Sequence, residues 1–205
     1  QDVGISAQLG IGTSLDTPPE TQSRTTFHTQ HSPALLDIIT RANFKSVNVY
    51  CDALIRLLGK RFGKGGSMAA GTTVVEEYWT KQGIDMMGFF MQDGSGLSPR
   101  NGVSTRQFAQ LLQLVEQNPK LSGIFYETLP IGGESGTVKY LFRDTAAKGK
   151  IRLKSGSLGR VRSYSGYATA KNGRKVAFSI IANNYTCSSR TIRKKLEKVM
   201  STLCE

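Results

Sequence analysis

The sequence predicts an α+β fold, an antiparallel sheet flanked by helices, on three observations. Apolar residues recur at helical spacing in several segments between residues 32 and 143, and near residue 151 the pattern becomes typical of strands. A last amphipathic segment, 188–203, returns to the helical period and is expected to cover the sheet. With 205 residues and no internal repeat, the chain is long enough for one domain or the larger part of one.

The first helices are predicted from the signals at their ends. Ser32 followed by Pro33 predicts a helix start, because Ser is a favoured N-cap and Pro fits the first helical position. A second helix is expected from about Val47 to Gly59. A glycine-rich loop then leads into a third helix, over residues 72–82.

Later helices are predicted in the same way. Residues 91–104 are rich in turn formers and are expected to be irregular. Ser104 and Gln107 have the spacing of a capping box, which predicts a helix start. Asn118-Pro119 is expected to cap another helix, and residues 132–143 are expected to form one more.

Three strands are predicted next, over residues 151–156, 160–170 and 174–184. Asn172-Gly173 between the last two is typical of a tight hairpin turn. The final helix is expected to bury one face, formed by Ile192, Leu196, Val199 and Leu203.

The N-terminal residues 1–31 differ in composition from the rest, being rich in Thr, Ser, Gln and Pro. They predict an irregular lead-in from an upstream region, with one short strand within residues 3–12, ahead of the domain at 32–205. No apolar run reaches the roughly 18–20 residues that a membrane-spanning helix needs, so no transmembrane segment is predicted.

Basic charge is concentrated at the C-terminal end. The net charge of the chain is +12, yet residues 1–147 are balanced, with 13 basic and 13 acidic side chains. Residues 148–205 carry 14 basic side chains and only Glu197 and Glu205 as acids. This asymmetry indicates an anionic partner, either nucleic acid, an anionic polymer or a substrate carboxylate, with a solvated basic face as the alternative.

The cysteines and histidines indicate no metal site. Cys51, Cys187 and Cys204 are too few and odd in number for a disulfide framework, and they lack metal-ligand spacing. With only two histidines in the chain, we predict free structural thiols, no metal and no cofactor.

Two triplets indicate serine acyl-transfer chemistry. Ser46-Val47-Asn48 lies at a predicted helix start, and Lys154-Ser155-Gly156 lies on a predicted strand. Their types and order match the second and third elements of penicillin-recognising serine enzymes, S-x-x-K, S-D-N and K-T-G. Each triplet alone has a structural explanation, such as an N-cap, a solvated lysine or a bulge, so the pairing carries the interpretation.

Longer segments around these triplets resemble one family. The stretches are 31–59, the D-G-S-G-L-S segment at 93–98 with the helix after it, and residues 129–142 with 149–167. Together they resemble the C-terminal part of the class C low-molecular-mass penicillin-binding proteins, the S13 family of D-alanyl-D-alanine carboxypeptidases and endopeptidases. The resemblance implies a penicillin-binding or serine β-lactamase-like transpeptidase domain lacking its N-terminal portion. It further implies a periplasmic or envelope location, with peptidoglycan peptides and β-lactams as partners.

The resemblance also implies a role for each matched residue. Ser46 is expected to relay protons, and Asn48 to bind a substrate amide. Lys154 and Ser155 are expected to bind the terminal carboxylate, Gly156 to admit the substrate backbone and Ser157 to supply an oxyanion-hole N–H. Asp93 and Ser95 match a family motif, for which we expect a structural turn near the site.

The nucleophile is missing from the chain. No lysine has a serine three residues before it, and the Thr145/Lys148 and Thr191/Lys194 pairs lie in the wrong region. We therefore expect the S-x-x-K element in an upstream part of the same polypeptide and predict that this chain alone is inactive. The alternative is a non-catalytic relative that binds peptidoglycan.

Two other classes are less well supported. A nucleic-acid-binding domain would explain the basic charge, but the chain has no helix-turn-helix, zinc or RNA-binding motif, so no nucleic-acid partner is predicted. A class A β-lactamase would need a glutamate in an E-x-x-L-N-like context. That context is absent around Glu76, Glu77, Glu116, Glu127 and Glu134.

Overall fold

The structure, a computed structural model, describes residues 28–205. The chain divides into two compact units, Gln1–Ser32 and Pro33–Glu205. Of the first unit only residues 28–32 are described, as exposed coil, so the strand predicted within 3–12 lies outside the described residues.

The second unit begins with helices and continues into a sheet and a final helix. Its α-helices are α1 (Leu35–Lys45), α2 (Asn48–Phe62), α3 (Met68–Lys81), α4 (Thr105–Gln117), α5 (Ser122–Thr128) and α6 (Ser189–Ser201). The strands are β1 (Ile151–Leu158), β2 (Val161–Thr169) and β3 (Lys175–Asn183), and they form an antiparallel sheet in the order β1-β2-β3. The predicted α+β arrangement and its three strands are confirmed.

Local signals that act within one turn are also confirmed. At the start of α4 the Ser104 hydroxyl accepts from the Gln107 N–H, and the Gln107 side chain accepts from the Ser104 N–H, which completes the capping box. Between β2 and β3, Gly173 adopts a φ of 78° and donates its N–H to Ala170. The predicted hairpin is thereby closed.

Two predicted helix ends are wrong. α1 begins at Leu35 with Ala34 as its N-cap, rather than at Pro33 with Ser32 as its N-cap, because the backbone of Ala34 has a ψ of 147° and is not helical. α2 continues through Gly59 to Phe62, since this glycine lies where α2 crosses α3. A Cβ on Gly59 would lie 2.6 Å from the backbone nitrogen of Gly71, so the residue serves close packing rather than helix termination.

The remaining differences have local causes. α3 starts earlier than predicted, with Ser67 as its N-cap, and Asn118 ends α4 as its C-cap instead of opening α5. Residues 132–143 contain one 3₁₀ turn, Gly136–Val138, in place of the predicted helix. The left-handed backbones of Gly133 and Gly136 interrupt a regular helix there.

The main hydrophobic core lies between the sheet and α6. On β1, Ile151 and Leu153 are fully buried, and they belong to the cluster formed with α6. The apolar face of α6 is Ile192, Leu196 and Met200; Val199, which was expected there, is 54% exposed. Successive side chains of a strand alternate between faces, so Arg152 and Lys154 point to the other side of the sheet.

Candidate active site

A hydrogen bond joins the two sequence triplets. Lys154 Nζ on β1 donates to Ser46 Oγ at 2.9 Å, across 108 residues of chain. The same ammonium donates to the Ser155 carbonyl oxygen at 2.7 Å, which holds the lysine along its own strand. The structure therefore brings Ser46, Lys154 and the Ser155 carbonyl together.

Ser46 reaches Lys154 because it occupies the tight junction between α1 and α2. It is the C-cap of α1 and has a left-handed backbone, with φ 55° and ψ 53°. α2 starts two residues later, with Val47 as its N-cap and Asn48 as its first residue. Ser46 is thus not the N-cap that a purely structural reading suggested, and Asn48 is exposed beside it.

The outer edge of β1 is partly open. Leu153 N–H donates to Pro130 and Ile151 carbonyl accepts from Gly132, so the odd-numbered residues direct their backbone groups away from β2. Because this direction repeats every second residue, the N–H groups of Ser155 and Ser157 also point outward. The outward N–H of Ser157 has no backbone partner within the described residues.

Two further contacts shape this edge. The Ser155 and Thr137 hydroxyl oxygens lie 3.1 Å apart and share a hydrogen bond. Gly156 lies against Ser163 on β2, and a Cβ at this position would collide with the Ser163 hydroxyl oxygen. A side chain at position 156 would therefore require the Ser163 hydroxyl to turn away, while glycine leaves that hydroxyl in place.

Burial sets the electrostatics around the ammonium. Desolvation lowers the pKa of Lys154, partly opposed by the nearby Cys51. The Cys51 thiol is half-buried on α2, and desolvation raises its pKa despite the opposing charge of Lys154. The ammonium is therefore held in a partly dehydrated position, where its charge acts more strongly on a bound anion than it would in water.

The predicted structural turn at Asp93 is present. Its carboxylate accepts from the backbone N–H groups of Gly96 and Ser98 and from the Asn101 side chain. Desolvation raises the pKa of Asp93, but these hydrogen bonds outweigh that effect and hold the pKa below its usual value.

The same turn is attached to α2 by Asp52. The carboxylate of Asp52 accepts from the Gly94 and Ser95 N–H groups at 2.9 and 3.0 Å. A Cβ on Gly94 would collide with the backbone of α2 at Cys51. The turn thereby supports the helix that follows Ser46.

Sequence reasoning missed three residues of the site: Thr137, Cys51 and Asp52. Cys51 and Asp52 follow Asn48, the first residue of α2, by three and four residues, about one helical turn, and this spacing was a usable signal. Thr137 had no such signal, because the 3₁₀ turn that carries it meets β1 only in the folded chain.

The described residues offer neither a metal site nor a membrane helix. Among residues 28–205 there is no group of three or more His, Cys, Asp or Glu side chains able to hold a metal ion. No helix in this part of the chain is long and apolar enough to cross a membrane. None of the three cysteines is paired.

Curated relatives share the sequence over most of its length. The D-alanyl-D-alanine carboxypeptidase of Actinomadura sp. (strain R39) is 30% identical over 189 residues, covering 90% of this chain and 34% of that protein. The D-alanyl-D-alanine carboxypeptidase DacB of Haemophilus influenzae is 33% identical over 159 residues, covering 76% and 33%. The chain thus spans about a third of the length of these relatives.

Solved structures share the fold. Penicillin binding protein 4 from Haemophilus influenzae, in complex with a β-lactam, has a TM-score of 0.75 at 27% identity, covering 82% of this chain and 41% of that one. The TLA-3 extended-spectrum β-lactamase has a TM-score of 0.65 at 18% identity, covering 83% and 64%, which is a likeness of fold alone. The predicted penicillin-binding and β-lactamase-like fold is confirmed.

The sequence match to a family is nearly complete. Residues 2–203 match the D-Ala-D-Ala carboxypeptidase 3 (S13) family. The segments around Ser46 and Lys154, which carried the resemblance in the sequence, lie within this match. The chain belongs to the D-Ala-D-Ala carboxypeptidase 3 (S13) family.

Proposed function

We propose that this chain is the C-terminal part of a serine-type D-Ala-D-Ala carboxypeptidase or endopeptidase that acts on peptidoglycan stem peptides through an acyl-enzyme. The hydrogen bond from Lys154 Nζ to Ser46 Oγ carries the proposal, because it joins two of the three elements that this chemistry needs. The third element, S-x-x-K, comes from a part of the polypeptide outside these 205 residues.

Ser46 serves the proton transfers. The upstream serine attacks the carbonyl carbon of the penultimate D-alanine, and the bond to the terminal D-alanine nitrogen breaks. That nitrogen needs a proton to leave as an amine. Lys154 donates to the Ser46 oxygen, so the Ser46 hydroxyl hydrogen is free to point to the leaving nitrogen. Ser46 passes this proton on and regains one from the base beside the upstream serine.

The carboxylate of the terminal D-alanine binds at Lys154 and Ser155. The partly dehydrated ammonium supplies the charge, and the Ser155 hydroxyl supplies a directed hydrogen bond. Thr137 shares its hydrogen bond with Ser155 and holds that hydroxyl in place. In the Lys154-Ser155-Gly156 triplet, serine stands in place of the threonine of K-T-G, so the hydroxyl group is kept.

The open edge of β1 holds the substrate backbone. Its outward amides allow a peptide to add as a further strand, and Gly156 leaves room for close approach. The Ser157 N–H is in position to face the oxyanion that forms on the attacked carbonyl. Asn48, exposed beside Ser46, donates to a substrate amide oxygen.

The names of the relatives support the substrate. Two of the relatives carry the name D-alanyl-D-alanine carboxypeptidase, and one structural neighbour was solved with a β-lactam bound. We propose the same substrate class and β-lactam sensitivity for the protein that contains this chain, with a place in the periplasm or cell envelope. The basic C-terminal part suits the anionic groups of that material.

A tagged penicillin tests this proposal in the source cell. An envelope extract is labelled, and the captured proteins are probed for peptides of this chain. We expect capture in a polypeptide much larger than 22.4 kDa, while the isolated chain forms no covalent adduct. A protein found at 22.4 kDa and absent from the captured set would overturn the proposal in favour of a non-catalytic peptidoglycan-binding relative.

A further inference from the structure

A basic cleft lies behind the sheet, away from the site at Lys154. It has a volume of about 540 Å³ and runs between α6 and residues 140–147. Because α6 packs on the face of β1 that carries Ile151 and Leu153, the cleft lies on the opposite side of the sheet from Lys154. We call it the basic cleft, because four cations line it: Arg143, Arg193, Lys194 and Lys198.

The cations of the basic cleft have no acidic partners. Among the described residues only Arg152 and Lys175 form ion pairs with carboxylates. Three carboxylates line the same cleft, Asp144, Glu197 and Glu205, yet none comes within ion-pair distance of a cation there. Glu197 instead accepts a hydrogen bond from the Phe142 N–H. The four cations therefore outnumber the three carboxylates and form no ion pair with them, so they are available to the anionic groups of a ligand.

One wall of the cleft includes an aromatic ring with two cations close to it. Tyr140 is 57% exposed, with Lys139 Nζ at 4.9 Å and the Arg143 guanidinium carbon at 4.6 Å from its ring centre. This stacking positions Arg143 at the cleft and reduces its freedom.

We propose that the basic cleft is a second, non-catalytic binding site for a carboxylate-bearing peptide, namely a stem peptide of a neighbouring peptidoglycan strand. The identity of the peptide rests on the proposed function. The cations bind its carboxylates, and Asp144 is available for an amino group of the same peptide. The volume is typical of a site for a small ligand or a short peptide segment.

The lining favours a peptide over a bilayer surface. Tyr140 is the one exposed aromatic residue of the cleft, and no large aliphatic side chain is exposed in its lining. Peripheral helices that enter a bilayer insert an apolar face, but the apolar face of α6 is buried in the core. A concave surface with both charge signs is better matched to a zwitterionic chain.

Two sites on opposite faces would allow bivalent attachment to the wall. One stem peptide would occupy the catalytic groove while another is held at the basic cleft. Binding at one site then raises the effective concentration of wall peptides at the other. The protein would remain on the wall between cleavage events.

Sedimentation with insoluble peptidoglycan tests the site. The full-length polypeptide that contains this chain is first treated with penicillin, so that the catalytic groove is blocked. Binding is compared for wild type, a Lys194→Glu/Lys198→Glu variant and a control Lys171→Glu/Arg174→Glu variant. Both variants change the charge equally at exposed positions, on α6 and on the β2–β3 hairpin. A second sample of peptidoglycan has its carboxylates converted to amides.

We expect the α6 variant to bind unmodified peptidoglycan about tenfold more weakly, since it reverses two charges at the ligand. The control variant should stay within about twofold of wild type, because its charges lie outside the cleft. On amidated peptidoglycan all three proteins should bind equally weakly. If the α6 variant loses its native melting transition, Lys194→Gln/Lys198→Gln replaces it, with an expected loss of about threefold.

Several results would overturn the basic cleft as a peptide site. These are equal losses in both variants, no loss in either, or binding that disappears when penicillin fills the groove. Equally strong retention of wild type by phosphatidylglycerol vesicles would assign the surface to a bilayer instead. A protein that takes up no penicillin refutes the proposed catalytic function alone, since the α6 and control variants still report on the cleft.

Discussion

The two faces of strand β1 differ in what they contact. On one face, Ile151 and Leu153 are 0% exposed and pack against α6. On the other, Lys154 is only partly buried and contacts a serine from the distant junction of α1 and α2. Residues 153 and 154 are adjacent in the chain, yet one belongs to the core and the other to the site.

This difference shows how a small sheet separates stability from chemistry. The alternation of a strand places every second side chain in the core, which fixes the backbone between them. The site residues can then be polar and poorly packed, because their positions are already determined. Changes on the site face should therefore affect reaction rates, and changes on the core face should affect unfolding.

The largest expected effect is on the site face. Lys154→Met in the full-length polypeptide removes the charge that binds the carboxylate and the donor that orients Ser46. We expect the rate of β-lactam acylation to fall by about 10³-fold, the middle of the range for losing a group used in proton transfer. Stopped-flow or gel-based labelling measures the rate, and Lys171→Met on the hairpin is the control. An acylation rate within about threefold of wild type would show that Lys154 does not take part in the reaction.

The same variant should keep its stability. Burial lowers the pKa of Lys154, so the folded chain binds this proton less tightly than the unfolded chain. The cost of the buried charge is fully present at neutral pH and fades as pH rises from the folded pKa to the ordinary lysine value. Lys154→Met should therefore unfold no more easily than wild type at pH 7. Any increase in the free energy of unfolding over wild type should become smaller near pH 10. An increase in stability over wild type that grows with pH would show that the buried charge of Lys154 is not its cause.

The next effect is on the core face. Leu153→Ala leaves a cavity against α6 and should lower the free energy of unfolding by about 3 kcal/mol. Leu158→Ala, near the end of the same strand and 38% exposed, is the control and should cost less than about 1 kcal/mol. Denaturant unfolding measures both. Equal losses of unfolding free energy would show that Leu153 contributes no more to the core than Leu158.

The sequence predicted the fold where signals act over short distances. The strands were identified from their pattern and from Asn172-Gly173, and the capping box at Ser104 from two residues alone. The predictions failed where tertiary contacts decide. The sequence predicts a helix end at Gly59, but the role of this glycine appears only when α3 packs against it. Val199 was placed in the core, but the orientation of α6 buries Met200 instead.

The site shows the same limit. Ser46 and Lys154 could be paired from the order of two triplets, although 108 residues separate them. The hydroxyl of Thr137 beside Ser155 could not, because no pattern links a 3₁₀ turn to a strand that follows it. The left-handed backbone of Ser46 was likewise unpredictable, since it arises from the close junction of two helices.

A change at the helix crossing sharpens the comparison, because it touches neither face of β1. A Cβ on Gly71 would collide with the backbone of α2 at Ile55, and the two helices would have to separate. We expect Gly71→Ala to lower the free energy of unfolding by about 2 kcal/mol. It should also slow acylation, since α2 carries Asn48 and follows Ser46.

Gly123→Ala is the matched control for this prediction. Gly123 lies on α5 with no atom within 4 Å of an added Cβ. Alanine is the better helix former there, so stability should stay the same or rise by up to about 1 kcal/mol. Thermal unfolding measures both variants. A Gly71→Ala protein as stable as Gly123→Ala would mean that α2 and α3 do not need this close approach.

The smallest effect concerns one polar contact at the outer edge of β1. Thr137→Val keeps the shape of the side chain but removes the hydroxyl that shares a hydrogen bond with Ser155. Because Thr137 is exposed, removing its hydroxyl should leave the melting temperature unchanged. Acylation should slow by about five-fold, the equivalent of one neutral hydrogen bond, as Ser155 loses its fixed orientation. Thr186→Val, also exposed, is the control. A loss as large as that of Lys154→Met would make Thr137 a direct partner of the substrate carboxylate rather than a support for Ser155.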